Sequence, residues 1–86
     1  MFLILVYDVS QKRVSKVHKI CQRYLYAVQR SVFEGSLTEK QLHLLQNDLA
    51  QVINTMEDSV CIYRFDSLLY TSKEQIGCSS GYDSIL

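Results

Sequence analysis

At 86 residues and zero formal net charge, the chain amounts to one small domain, too short to bury a large core alone and therefore helped by association. Hydrophobic residues make up 48% and charged residues 21%, which excludes a disordered chain, and no run approaches the roughly 20 apolar residues that span a bilayer. The neutral total hides an asymmetry: residues 9–33 hold Lys12, Arg13, Lys16, Lys19, Arg23 and Arg30 and no acid, while Asp8 and residues 34–86 carry the balancing negative excess. A basic block in a neutral domain points to one face aimed at a polyanion such as nucleic acid.

The first element is a strand over residues 2–8, FLILVYD, apolar on both alternating faces and stopped by Asp8 and Ser10. The apolar run has no basic region before it and closes too early for a secretory leader, so a cytoplasmic protein is expected. From Ser10, a plausible N-cap, the period changes: Val14, Val17, Cys21, Tyr24, Leu25 and Val28 recur at helical steps. Residues 26–37 read as strand again, either one bent strand or two short ones meeting near Arg30 and Ser31, with Gly35 suggesting a bulge or bend. Thr38 with Gln41 forms a capping box, and Leu37 with Leu42 a hydrophobic staple, ahead of a helix whose apolar face runs through Leu42, Leu45, Leu49, Val52, Ile53 and Met56. Residues 59–65, SVCIYRF, form a further strand after the turn-like Glu57-Asp58-Ser59. A short extra strand is expected within residues 68–77, and residues 78–86 read as a tail.

This order is β-α-β-β-α-β, an α+β class. Right-handed crossovers place both helices on one face of a single sheet, giving a ferredoxin-like sandwich over residues 1–77. Two helices cover one face only, yet the first strand is apolar on both. A second copy of the chain is the simplest cover for the other face, so a homodimer is expected.

Cys21, Cys61 and Cys78 are odd in number and contain no CxxC, which fits neither a disulfide framework nor a zinc site. Cys21 and Cys61 are expected to pack as small hydrophobes. His18 and Cys21 stand at helical ligand spacing, with no second pair to complete a metal site. Lys12, Lys16, Lys19 and Arg23 fall on one helical face with Arg13 beside it, a stripe suited to a duplex backbone. No base-reading motif accompanies it, so binding should be independent of sequence. Asp8 has two readings: a turn residue that helps start the helix, or a metal ligand. Magnesium takes oxygen ligands and keeps several waters; one chain offers Asp8 alone in such a position, and a dimer would offer two.

The Tyr7-Asp8 strand end, the basic helix containing Arg13, VQRSVFEG at residues 28–35 and DSVCIYRF at residues 58–65 together resemble the CRISPR-associated endoribonuclease family, the small subunits of the complex that integrates new spacers. The stretch from Gln29 to Phe33 is the most specific part, and the resemblance runs from residue 1 to about Gly77. It implies a homodimer whose two Asp8 residues face each other and hold Mg²⁺, with Tyr7, Arg13 and Phe33 in the same catalytic site. It also implies a bridge between dimers of a CRISPR integrase subunit that holds duplex DNA on Lys12, Arg13, Lys16, Lys19, Arg23 and Arg30, and metal-dependent cleavage of RNA, single-stranded RNA included, or of DNA. Ala27 stands where some relatives place an arginine tied to activity. An mRNA-cleaving toxin on the same scaffold is the alternative reading.

Overall fold

The computed structural model describes residues 1–65. The extra strand expected within 68–77, the 78–86 tail and Cys78 lie outside the described residues. The elements run β1 (Phe2–Asp8), α1 (Gln11–Gln22), β2 (Tyr26–Gln29), β3 (Val32–Ser36), α2 (Glu39–Ala50) and β4 (Ser59–Phe65). The strands form one sheet in the order β2-β3-β1-β4, each neighbouring pair antiparallel. That is the split β-α-β pattern of a ferredoxin-like fold.

The position of β1 follows from its sequence. A strand apolar on both alternating faces is most stable at the centre of a sheet, and β1 pairs with β3 on one edge and β4 on the other. Leu3, Leu5 and Tyr7 point to the helices and join Val17, Ile20 and Cys21 of α1, Phe33 of β3, and Leu42, Leu45 and Leu49 of α2 in one buried cluster. Ile4 is buried on the opposite face, its cross-strand neighbours being Glu34 and Tyr63. No helix among the described residues covers that second face, and Tyr26 and Tyr63 on it are 79% and 39% exposed. Phe2 and Phe65 lie there with ring centroids 6.1 Å apart.

Both helices end sooner than their apolar stripes. Helix α1 stops at Gln22: the amides of Tyr24 and Leu25 fold back on the Cys21 carbonyl at 3.1 and 2.8 Å, and Val28 belongs to β2. Pairing of Tyr26 and Ala27 with β3 outweighs one more helical turn. Helix α2 begins at the expected capping box, with Gln41 N–H donating to Thr38 Oγ1 at 3.1 Å and Thr38 N–H to Gln41 Oε1 at 2.9 Å. It ends at Ala50, so Val52 and Ile53 pack on the core from beyond the helix, while Met56 is 90% exposed.

Of the two readings of residues 26–37, the structure has the two short strands, with a turn at Arg30 and Ser31. The register shift lies between Ala27 and Gln29 and not at Gly35. Gly35 instead lets β3 approach the α1–β2 link, since a Cβ there would sit 3.1 Å from Leu25 Cδ2. Cys61 also departs from expectation. Register with Val6 turns it to the face away from α1 and α2, where it is exposed.

Candidate functional site

The end of β1, the first turns of α1 and the β2–β3 turn enclose an open cleft of about 580 Å³, whose polar lining comes from Tyr7, Asp8, Gln11, His18, Arg30 and Ser31. Strand alternation divides the first two. Tyr7 turns toward the helices and is buried, whereas Asp8 turns the other way and is exposed. The Tyr7 hydroxyl donates to the Arg30 carbonyl at 3.1 Å, with His18 Nδ1 at 3.5 Å, and the Tyr7 amide donates to the Ser31 carbonyl at 3.1 Å. The turn carrying Arg30 and Ser31 is thus pinned to β1. Burial, with a smaller contribution from Cys21, raises the Tyr7 pKa, so the hydroxyl remains a neutral donor.

Phe33 forms the floor beneath this pair. Its ring stacks under Tyr7 at 6.2 Å and takes the edge of His18 at 5.1 Å. It is fully buried and contributes to the site by packing; the side chain does not reach the cleft. Cys21, nearby and also buried, has its thiol pushed up to about 12 by desolvation and behaves as the small hydrophobe expected.

The Asp8 carboxylate has no hydrogen-bond or ion-pair partner among the described residues. Nor do the described residues contain a group of three or more side chains able to hold a metal ion. Among the described residues lining the cleft Asp8 is the one carboxylate; Mg²⁺ keeps several waters and is held by one or two carboxylates, so Asp8 fits it as a ligand, and a second copy would bring a second carboxylate.

Arg13 departs furthest from expectation. Its side chain is 14% exposed and its guanidinium faces the α2–β4 loop, donating through Nε to Asp58 Oδ2 at 2.5 Å and through Nη2 to Asp58 Oδ1 at 3.0 Å and Glu57 Oε2 at 2.6 Å. A fork already filled by two carboxylates has little left for phosphate. The bond to Asp58 leads the causes that raise the Arg13 pKa, and the same bond drives the Asp58 carboxyl far below the usual range. The expected cap is replaced here too. Ser10 makes no side-chain cap, and its amide instead donates to Asp58 Oδ1 at 2.9 Å.

Of the other basic residues, Lys12, Lys16 and Lys19 are exposed on α1 with no ion-pair partner among the described residues. Arg23 is exposed but lies 3.6 Å from Asp48, which also accepts the Tyr24 hydroxyl at 2.7 Å. Arg30 is exposed at the mouth of the cleft, away from the α1 stripe. Ala27 lies exposed on β2 opposite Phe33 and does not line the cleft. In sequence His18 is marked only by its helical spacing to Cys21 and Asp58 only by the turn-like Glu57-Asp58-Ser59; neither signal gives its role, which depends on contacts made across the fold. No helix among the described residues is long and apolar enough to cross a membrane.

Comparison with known proteins agrees with this geometry. A family model described as CRISPR associated protein Cas2 matches residues 1–71. The chain is 40% identical over 86 residues to the CRISPR-associated endoribonuclease Cas2 of Thermotoga maritima, covering all of this chain and 99% of the relative. It is 41% identical over 81 residues to a second such protein, from Archaeoglobus fulgidus, covering 94% and 88%. Among solved structures, a crystal structure of Cas2 superposes with a TM-score of 0.81 at 39% identity, covering 93% of this chain and 91% of the other. Cas2 of Streptococcus pyogenes at pH 6.5 gives 0.70 at 34%, covering 76% and 86%. By sequence along its whole length and by fold, the chain belongs to the CRISPR associated protein Cas2 family.

Proposed function

We propose that the protein is a CRISPR-associated, Mg²⁺-dependent endonuclease that acts as a homodimer on phosphodiester bonds of RNA or DNA. The single observation that carries this reading is Asp8, whose carboxylate has no partner among the described residues, at the end of a strand whose second face carries Phe2, Ile4 and Val6 and is met by no described helix. A second copy seated on that face brings two Asp8 carboxylates together. Two close carboxylates are unfavourable until a cation lies between them, which supplies the reason for Mg²⁺. When bound, the ion would neutralise the scissile phosphate and activate water. Tyr7 keeps the β2–β3 turn closed on β1, and Arg30 offers its charge at the cleft mouth. The relatives named above are called endoribonucleases, which favours RNA.

The second reading is an adaptor in spacer acquisition, bridging integrase dimers with a DNA duplex held on α1. Lys12, Lys16 and Lys19, exposed and without an ion-pair partner among the described residues, favour it. Asp8→Asn separates the two. A nuclease loses Mg²⁺-dependent cleavage of labelled RNA or DNA while its dimer and helical signal persist, and an adaptor retains spacer integration with its integrase. Cleavage undiminished in Asp8→Asn, or in excess chelator, would refute the nuclease reading.

A further inference from the structure

Because the Asp8 carboxylate makes no hydrogen bond or ion pair with another described side chain, its place in the cleft is set largely by its own backbone. On one side that backbone is held by pairing of Asp8 with Ser59 in β4. On the other, the next anchored group is the Ser10 amide, which donates to Asp58 Oδ1 at 2.9 Å across a sequence separation of 48 residues. Asp58 and Ser59 are adjacent, so one dipeptide holds the chain at the metal-ligand candidate and again two residues beyond it.

Asp58 can serve as that anchor because it is itself immobilised. Its side chain is 0% exposed, and its oxygens accept from four donor groups: the Ser10 amide, the Asn54 amide at 2.8 Å, and Arg13 Nε and Nη2 at 2.5 and 3.0 Å. A buried carboxylate with this many donors is rigid, and loss of any partner leaves others unsatisfied. Arg13 supplies the two-pronged, planar contact that a lysine lacks.

We propose that Asp58, locked by Arg13, is a positioning residue that fixes the Asp8 carboxylate in the cleft, and that Arg13 serves the site through Asp58 and not by binding phosphate. The proposal rests on Asp8 being a metal ligand. Partners that orient a ligand without touching the metal typically change its affinity by 10- to 100-fold.

The test is Mn²⁺ affinity of the purified full chain, followed by electron paramagnetic resonance at a temperature where circular dichroism shows each variant folded. Asp58→Asn and Arg13→Lys should each weaken Mn²⁺ binding about tenfold, and kcat for cleavage should fall with KM unchanged. A phosphate-binding Arg13 predicts the reverse: lysine restores function, and glutamine raises KM. Wild-type Mn²⁺ affinity in both variants, with Asp8→Asn abolishing it, overturns the positioning role and leaves the reading of Asp8 intact. Unchanged affinity in Asp8→Asn overturns both. If Asp58→Asn does not fold, Arg13→Lys, which keeps the charge and loses only the fork, decides the matter.

Discussion

Removing Lys12, Lys16 and Lys19 together, each to glutamine, should reduce both nucleic-acid affinity and its dependence on salt. These three residues are exposed and unpaired among the described residues. At about 1.5 Å of rise per residue, they span about 10 Å along α1, against about 3.4 Å between successive charges of one DNA strand. Three simultaneous phosphate contacts are therefore within reach. Each neutralised phosphate contributes about 0.9 to the slope of log K against log salt, so the triple variant should lose about 2.7 from the slope per bound helix. Carried from about 1 M to about 0.15 M salt, that slope difference is about 2.2 decades, roughly a hundredfold in affinity. Arg23 should contribute less than one full contact because Asp48 lies 3.6 Å away, and Arg13→Gln should leave the slope unchanged because its guanidinium is already committed. Fluorescence anisotropy of a labelled duplex, titrated at four or more salt concentrations, gives these slopes directly. A triple variant with the wild-type slope refutes α1 as the binding face, and a slope that falls in Arg13→Gln as much as in Lys16→Gln refutes the assignment of Arg13.

Asp58 should shape the acid limb of stability. Its folded pKa is depressed, chiefly by the Arg13 bond, so its contribution is fully present above the unfolded value of about 3.9 and is lost as pH falls through the folded value. Urea midpoints at pH 5 and pH 2.5 should therefore differ less in Asp58→Asn than in the wild type; parallel pH profiles would refute the linkage. Phe33→Ala, which removes a fully buried ring between Tyr7 and His18, should cost about 3–5 kcal/mol, read as a shift in urea midpoint. A loss under about 1 kcal/mol would mean that the site can collapse around the missing ring.

The parts of the fold decided locally were legible in the sequence. The doubly apolar β1, the Thr38–Gln41 capping box and the turn at Arg30 and Ser31 depend on neighbours within a few residues; the first two occur as read, and the turn is one of the two readings the stretch allows. The helix ends were less legible, because periodicity says where a stripe continues and not whether a competing strand claims it. Tyr24, Leu25 and Val28 fit the α1 stripe, yet β3 draws the chain into β2. Cys61 looked like core because its neighbours are apolar, whereas the register with Val6 decides its face. The same limit applies to the site. Tyr7 and Asp8 were legible from the strand's end, but His18 enters the cleft, and Asp58 caps α1, only through contacts made after folding.

The basic block of residues 9–33 divides by residue type once the partners are known. Arginine, with its planar fork, suits fixed bidentate pairing, and lysine remains a mobile, well-hydrated point charge. Arg13 follows that rule against Asp58 and Glu57, and Arg23 lies near Asp48, while the three lysines of α1 have no acidic partner among the described residues. The charge available to a polyanion is therefore smaller than the count of basic residues and more concentrated in place. It lies along one helix, with Arg30 separate at the mouth of the cleft. The same pairing that withdraws Arg13 from the surface anchors the chain beside Asp8. One arginine thus links a lowered surface charge to a fixed carboxylate, and its loss should register at the cleft and not along the lysine stripe.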